Sequence, residues 1–440
     1  MKIVLILPHD VTYKYKKGSF VKFLKYPPLT LTTLAALVPK ELNADVQIID
    51  EGVQPLPEKI EADIVGITVL TATANRAYML ADKFRAEGKT VLLGGIHVTA
   101  LPEEAQQHAD AIMVGCGEDT FPQALNDYKN GCLQKVYESK LQGEIKSLPV
   151  PSRNLLSPSL HQITNTIMAT RGCPNHCQYC CIPGLTKGQY IRRPVEEVIE
   201  EIKGMNRKEQ FIFLDANLTG DEKYAEELYK ALIPLKIKWG ALTTVTFADN
   251  DRLLDLAVES GCNGFLMGLE TICQQSLQDI SKQFNKVGEY AKAIEKFHSR
   301  NIPICGCFMF GFDSDTPDVF QRTLDFIDKI KVNVVRPTVV TPFPGTRLFA
   351  KLNKENRILT YNWDNYDYEH VVFQPKGMTR KELYTGLAWL WKNLYTHKRI
   401  FKRSFVNSKF NFMMFLSNYA FRYHAMKYYK RVMKEARNEI

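Results

Sequence analysis

The 440-residue chain has no run of about eighteen consecutive apolar residues, so a membrane-spanning helix is not expected. Its opening Met1-Lys2-Ile3-Val4-Leu5-Ile6-Leu7 is apolar only briefly, is halted by Pro8, His9 and Asp10, and lacks a small-residue cleavage site. A first strand is expected there and not a signal peptide. Ten cysteines over this length are too sparse for a secreted disulfide framework, which fits reduced thiols and a cytoplasmic location. Extended disorder is not expected either, because 45% apolar and 24% charged residues can build sizeable cores. One core rarely serves so long a chain, and two or three domains are expected. Negative charge is scarce at one end. From Arg380 to Ile440 fourteen Lys and Arg face three Glu (Glu382, Glu435, Glu439), so this stretch carries +11 of a chain whose net charge is +9, and the rest is nearly neutral at −2.

Against that scatter, three cysteines fall together in Cys173-Pro-Asn-His-Cys177-Gln-Tyr-Cys180. A 4Fe-4S cluster ordinarily takes four thiolates, so a C-x3-C-x2-C loop leaves one iron open to a substrate or cofactor. Cys181 follows directly, but neighbouring residues point apart. A structural zinc site using these cysteines with His176 or Cys181 is the alternative, although such sites usually join two separated ligand pairs and no second pair occurs. Cys262, Cys273, Cys305 and Cys307 lack ligand spacing and read as small core residues.

With Thr170-Arg171-Gly172 before the first cysteine and Tyr179 before the last, the loop resembles that of the radical S-adenosylmethionine superfamily. The resemblance implies that Cys173, Cys177 and Cys180 bind the cluster and that Tyr179 lies near the adenine. It also implies that the open iron is chelated by the amino and carboxylate groups of S-adenosylmethionine, from which one electron releases a 5′-deoxyadenosyl radical.

Residues 1–132 alternate short apolar runs with helical patterns, the mark of a doubly wound, flavodoxin-like parallel sheet. Strands are expected at Lys2-Leu7, Asp45-Ile49, Ile64-Val69, Thr90-Gly94 and Ala111-Val114, with ligand residues beyond their carboxyl ends: Thr68, Gly94, Gly95, Gly115, Gly117 and Glu118. Tyr26-Pro27-Pro28-Leu29 and Gly94-Gly95-Ile96-His97, then Leu101-Pro102-Glu103-Glu104, resemble the cobalamin-binding domain that precedes the radical domain in one large subgroup. The Asp-x-His-x-x-Gly loop whose histidine ligates cobalt in many cobalamin domains is absent. A flavodoxin-like domain without a ligand is the alternative.

Residues 133–160, with Pro149, Pro151 and Pro158, are expected to be a linker. Residues 161–355 repeat strand and helix six times, which predicts a partial TIM-like (β/α)6 barrel with function at the strand carboxyl ends. Asp215 ends the second strand and is expected in the cavity or as a helix cap, with Asp221 competing for the cap. Glu270, in a segment resembling the superfamily's Gly-x-Glu-Ser, is expected near the ribose or amino group of S-adenosylmethionine, or in a buried salt bridge. Gly311 resembles the glycine whose backbone meets the adenine. Thr341-Pro342-Phe343-Pro344-Gly345-Thr346 matches a segment of the cobalamin-dependent subgroup.

Residues 356–440 are expected to form a helical, basic extension, with Leu383, Leu387, Leu390 and Leu394 at near-helical spacing. The extension resembles that of hopanoid-methylase-like members. Its interleaved aromatic and basic residues fit a packed terminal helix with a solvated face, or peripheral contact with anionic lipid; nucleic-acid binding is not expected. The sequence therefore predicts a cobalamin-dependent radical S-adenosylmethionine C-methyltransferase acting on an unactivated carbon of a small or lipid-like molecule, reduced by a flavodoxin or ferredoxin. A cyclase, oxidase or rearrangement enzyme of the same subgroup, and a non-catalytic iron-sulfur or zinc module, are the alternatives.

Overall fold

Ile3, Val4, Leu5 and Ile6 are all buried, as an unbroken apolar run must be where both faces of a strand are covered. They lie in β1 (Lys2–Leu7) of a computed structural model that describes residues 1–9, 26–161 and 165–438, so Asp10 and Glu439 fall outside it. β1 pairs in parallel with β2 (Asp45–Asp50) and β3 (Ile64–Thr68), and β4 (Thr90–Gly94), β5 (Ala111–Val114) and β6 (Val136–Glu138) follow in the order β2-β1-β3-β4-β5-β6. Alternation of side chains puts Val4 and Ile6 against helix Ala74–Ala86 on one face, and Ile3 and Leu5 against helices Leu29–Ala36 and Gly117–Lys129 on the other. β6 comes from the stretch expected to be a linker. Its Tyr137 is buried and donates to Asp127, so one alternating residue suffices to add an edge strand.

The second sheet is also wholly parallel. β7 (Asn165–Ile167), β10 (Gln210–Phe213), β11 (Lys238–Thr243), β12 (Cys262–Glu270), β13 (Ile304–Phe310) and β14 (Val334–Val339) run in the order β14-β13-β12-β11-β10-β7, the incomplete barrel that six strand-helix repeats predict. Trp239 is buried at its wall among Phe213, Tyr229 and Phe265, and its indole N–H donates to the Ser260 carbonyl. A hairpin of β8 (Thr170–Gly172) and β9 (Tyr190–Arg192), not foreseen in the sequence, leaves the sheet after β7 and encloses the cysteine loop.

The C-terminal extension serves both sheets. A Thr379–Glu382 capping box starts helix Arg380–Leu394, whose Leu383, Leu387, Leu390 and Leu394 are fully buried, each stabilising by roughly 2 kcal/mol. Before it, Trp363, Tyr366 and Val372 join the core of the first sheet, and the Trp363 indole donates to Glu104 at 3.0 Å. Glu104 also meets His97 Nε2 at 3.2 Å, and Asn75 donates to Asn362 at 2.7 Å, so the extension clasps the first unit from outside. After it come helix His397–Arg403, the two-residue strands β15 (Phe405–Val406) and β16 (Lys409–Phe410), and helix Phe412–Asn438. Among the described residues no helix is long and apolar enough to cross a membrane.

Candidate functional site

Gly172 turns the chain from β8 into the cysteine loop with a φ of +85°, and a Cβ there would stand 2.1 Å from the Gln189 carbonyl oxygen. Glycine is therefore required at the base of the loop. The loop is then gripped from two sides. The Gln178 amide donates to the Ile280 carbonyl, and the Gln178 carbonyl accepts from the Leu348 amide, both at 2.9 Å. Arg347 of the same helix, Arg347–Lys354, donates to the His176 carbonyl, and Thr346 caps that helix through the Phe349 amide. The Pro-Phe-Pro-Gly-Thr segment thus places a helix that seats the loop.

Cys177 is buried and Cys173 and Cys180 are half-buried, near enough that Cys173 disfavours ionisation of Cys177, and both disfavour that of Cys180. Among the described residues no three His, Cys, Asp or Glu side chains converge on a single-ion position. Burial pushes the Cys180 thiol up to about 12, so occupancy by iron must expel its proton.

Asp215 neither faces the cavity nor caps a helix. Fully buried, it accepts from the Ala169 amide at 3.1 Å and from the Thr170 amide and hydroxyl at 2.5 and 2.6 Å, clamping the strand end to the chain entering the loop. Burial raises its carboxyl above the ordinary range despite those bonds. Asp221 does cap its helix, accepting from the Lys223 and Tyr224 amides.

Glu270 ends β12 at a φ of +67° and is buried. Its Oε1 accepts from the Tyr179 hydroxyl at 2.8 Å and the Lys282 ammonium at 2.5 Å, so Tyr179 and Glu270 do meet, with Lys282 as a third member that no motif announced. Burial acts to lower the Lys282 ammonium, but Glu270 and the loop thiols outweigh it and the net shift is upward. Gly311, at a φ of +105°, presses its Cα against the extension: a Cβ would lie 2.7 Å from Leu383 Cδ2 and 3.1 Å from Phe373 Cζ. Its amide donates to Asp315.

The carboxyl ends of β3, β4 and β5 face the strand end and the β8 segment that lead into the cysteine loop, across a cavity of about 290 Å³. Thr68, Gly94, Gly95, Gly115, Gly117 and Glu118 line one side and Met168, Thr170, Arg171, Gly172, Leu214 and Ala216 the other, so the six predicted residues of the first unit share one wall. Leu5, Leu92, Met113 and Phe121 make its depth apolar. Glu118 Oε1 accepts from Arg171 Nε at 2.8 Å and Nη2 at 2.6 Å, crossing from one unit to the other. Among the described lining residues there is no histidine. His97 turns instead to Thr71 Oγ1 and Glu104.

Residues 167–327 match the family model of the radical S-adenosylmethionine superfamily, and residues 23–125 that of the B12 binding domain. The bacteriochlorophyllide d C-12(1)-methyltransferase of Chlorobaculum tepidum is 30% identical over 387 residues, 86% of this chain and 84% of that protein. The chain belongs to the cobalamin-dependent radical S-adenosylmethionine family. From the same organism, the bacteriochlorophyllide d C-8(2)-methyltransferase is 31% identical over 404 residues, 84% of this chain and 88% of that protein. The solved structure of the radical enzyme OxsB with aqua-cobalamin and S-adenosylmethionine bound shares the fold, with a TM-score of 0.71 at 13% identity over 97% of this chain and 71% of that one.

A member of this family is an enzyme with a 4Fe-4S cluster, S-adenosylmethionine and cobalamin as cofactors, and the residues present fit that set. The thiol tripod suits the cluster. The glycines edging the cavity let a planar ring come close to the backbone, and the apolar depth suits apolar groups projecting from it. Burial pushes the lining Cys116 up to about 12, which keeps it a neutral thiol.

Proposed function

We propose that this enzyme transfers a methyl group to an unactivated alkyl carbon of an apolar ring compound of tetrapyrrole size. The observation that carries the reading is the single cavity lined jointly by the strand ends of the first sheet and by the approach to the cysteine loop. When bound, the cluster and S-adenosylmethionine supply a hydrogen-abstracting radical and cobalamin supplies the methyl group.

The chain's own residues hold and exclude. Cys173, Cys177 and Cys180 would hold the cluster, and Asp215 and Arg347 keep their loop in register. Tyr179 and Glu270 border the place where S-adenosylmethionine would bind, and Arg171 and Glu118 close the seam between the units. Thr68 and Gly94, Gly95, Gly115 and Gly117 would cradle the corrin ring. The barrel-strand side chains left out of the core between sheet and helices include apolar Leu242 and Leu266 as well as polar Arg336 and Thr338, which gives a substrate both apolar packing surface and points of polar contact. The two bacteriochlorophyllide methyltransferases support a ring of tetrapyrrole dimensions.

Balance requires two equivalents of S-adenosylmethionine and two electrons for each methyl group. One equivalent yields 5′-deoxyadenosine and methionine, and the other yields S-adenosylhomocysteine. The electrons come from an external donor of the flavodoxin or ferredoxin class, and the enzyme works at a membrane periphery. Anaerobic turnover with methyl-labelled S-adenosylmethionine and a panel of tetrapyrroles tests the reading. Label in the product with both nucleosides formed supports it; 5′-deoxyadenosine with unlabelled, cyclised or oxidised product transfers the chain to the cyclase class.

A further inference from the structure

Five large apolar side chains that the fold leaves exposed fall within sixteen residues: Phe401, Phe410, Phe412, Met413 and Leu416, with Phe412 62% and Met413 55% exposed. They form one surface and not a scatter. Phe401 packs on Phe405 and Phe410, Phe410 on Phe415, and Phe412 on Phe415, with ring centroids 5.3 to 6.5 Å apart. The base of the patch is rigid. The Asn333 side chain donates to the Arg403 and Phe405 carbonyls, and Asn418, buried, donates to the Asn333 carbonyl. Asn407 and Ser408, both at positive φ, turn β15 into β16 at the exposed tip.

The charges on helix His397–Arg403 and on the β15–β16 hairpin are all basic, and among the described residues only Arg399 of them is paired with a carboxylate, Asp328 at 2.8 Å. Lys398, Lys402 and Lys409 are exposed on its elements, and among the described residues no carboxylate lies within ion-pair distance of them. Between Glu382 and Glu435 the sequence contains no acidic residue at all. Isolated exposed apolar residues need no explanation, but a contiguous apolar face rimmed by lysines is the arrangement that enters the headgroup layer of an anionic bilayer. A second copy of the chain fits poorly, since it would bring two lysine rims together.

We propose that this surface, built by helix His397–Arg403, the β15–β16 hairpin and the first turns of helix Phe412–Asn438, docks the enzyme on an anionic lipid bilayer. It gives the peripheral placement proposed above its contact surface and is independent of methyl transfer. Asn333 stands at the amino end of β14, the end of the barrel away from the cysteine loop, so docking leaves the cavity uncovered.

Flotation of the full chain with vesicles tests this. The expected result is binding to phosphatidylcholine vesicles containing phosphatidylglycerol, little binding to phosphatidylcholine alone, and weakening as salt rises. Phe412→Ser with Met413→Ser should lower the bound fraction at least about tenfold, since both apolar insertions are lost. Because these side chains are exposed, the variant should keep its circular dichroism and its reconstituted iron content. Lys402→Glu with Lys409→Glu should abolish preference for the anionic lipid. Failure of the wild type to float with anionic vesicles, or equal flotation of the wild type and the serine variant, overturns the proposal. A concentration-dependent dimer lost in the serine variant overturns it in favour of a second copy of the chain. None of these readouts depends on methyl transfer.

Discussion

Arg171 and Glu118 form an ion pair at 2.6 Å that ties the residue two positions before Cys173 to the opposite wall of the cavity they both line. Both side chains are mostly buried, so the pair works in a medium where a lost partner leaves an uncompensated charge. Glu118→Gln should cost about 2 kcal/mol of stability, less than a fully buried pair because each side chain keeps some exposure. Cobalamin retained after anaerobic desalting should fall well below the wild-type level while iron content stays near it. Equal loss of both cofactors would mean that the pair holds the fold and not the seam.

The cysteine loop makes a separable claim. Cys173→Ala, Cys177→Ala and Cys180→Ala should each lose the brown chromophore and the reduced-cluster electron-resonance signal after reconstitution. Cys181→Ala, at the start of the turn Ile182–Leu185, should retain both. A cluster that survives in one of the first three and fails in the fourth would reassign the ligands.

Asp215 carries the loop's position through Thr170. Asp215→Ala leaves the buried Ala169 and Thr170 amides without their acceptor, at a cost of about 2–4 kcal/mol. Differential scanning fluorimetry should show the drop in Tm in the metal-free protein. Thr170→Val, which removes one donor and leaves the backbone bonds, should cost less.

Asp315 supplies a pH dependence. Burial pushes its carboxyl up to about 6 against the Gly311 and Phe312 amides that it accepts from, while its Oδ1 has no partner. A carboxyl raised on folding favours the protonated native state. Its contribution is complete below about pH 4 and is lost as pH rises through about 6. Asp315→Asn should therefore be more stable than the wild type at pH 7.5 by about 1–2 kcal/mol, the partnerless amide offsetting part of the gain, with the sign reversing near pH 4, where only the amide's penalty of about 1–2 kcal/mol remains. Parallel Tm curves for the two proteins between pH 4 and 8 would refute this.

The strands were legible wherever the apolar run was continuous, as in Ile3 to Ile6 and Ile304 to Phe310, since burial on both faces leaves no polar residue to confuse the pattern. β6, β8 and β9 are three residues each, too short for periodicity to register. The cavity wall was legible because glycines gather at strand ends. Lys282, Arg347 and the clasp of Trp363 on Glu104 were not, because each meets its partner across a distance in sequence or after an irregular turn that no local spacing encodes. Asp215 shows the limit most plainly. Its position at a strand end was readable, but the direction of its side chain was decided by the amides of Ala169 and Thr170.

The clasp of Trp363 on Glu104 also sets an order of events during synthesis. Every strand of both sheets has left the ribosome before residue 363 emerges, so the first unit can fold around a bulky cofactor while its outer face is still unfastened. Latching follows both sheets, and a chain truncated ahead of it would own all the ligands yet lack both the lock that keeps its two halves in step and the later helices that pack on the barrel.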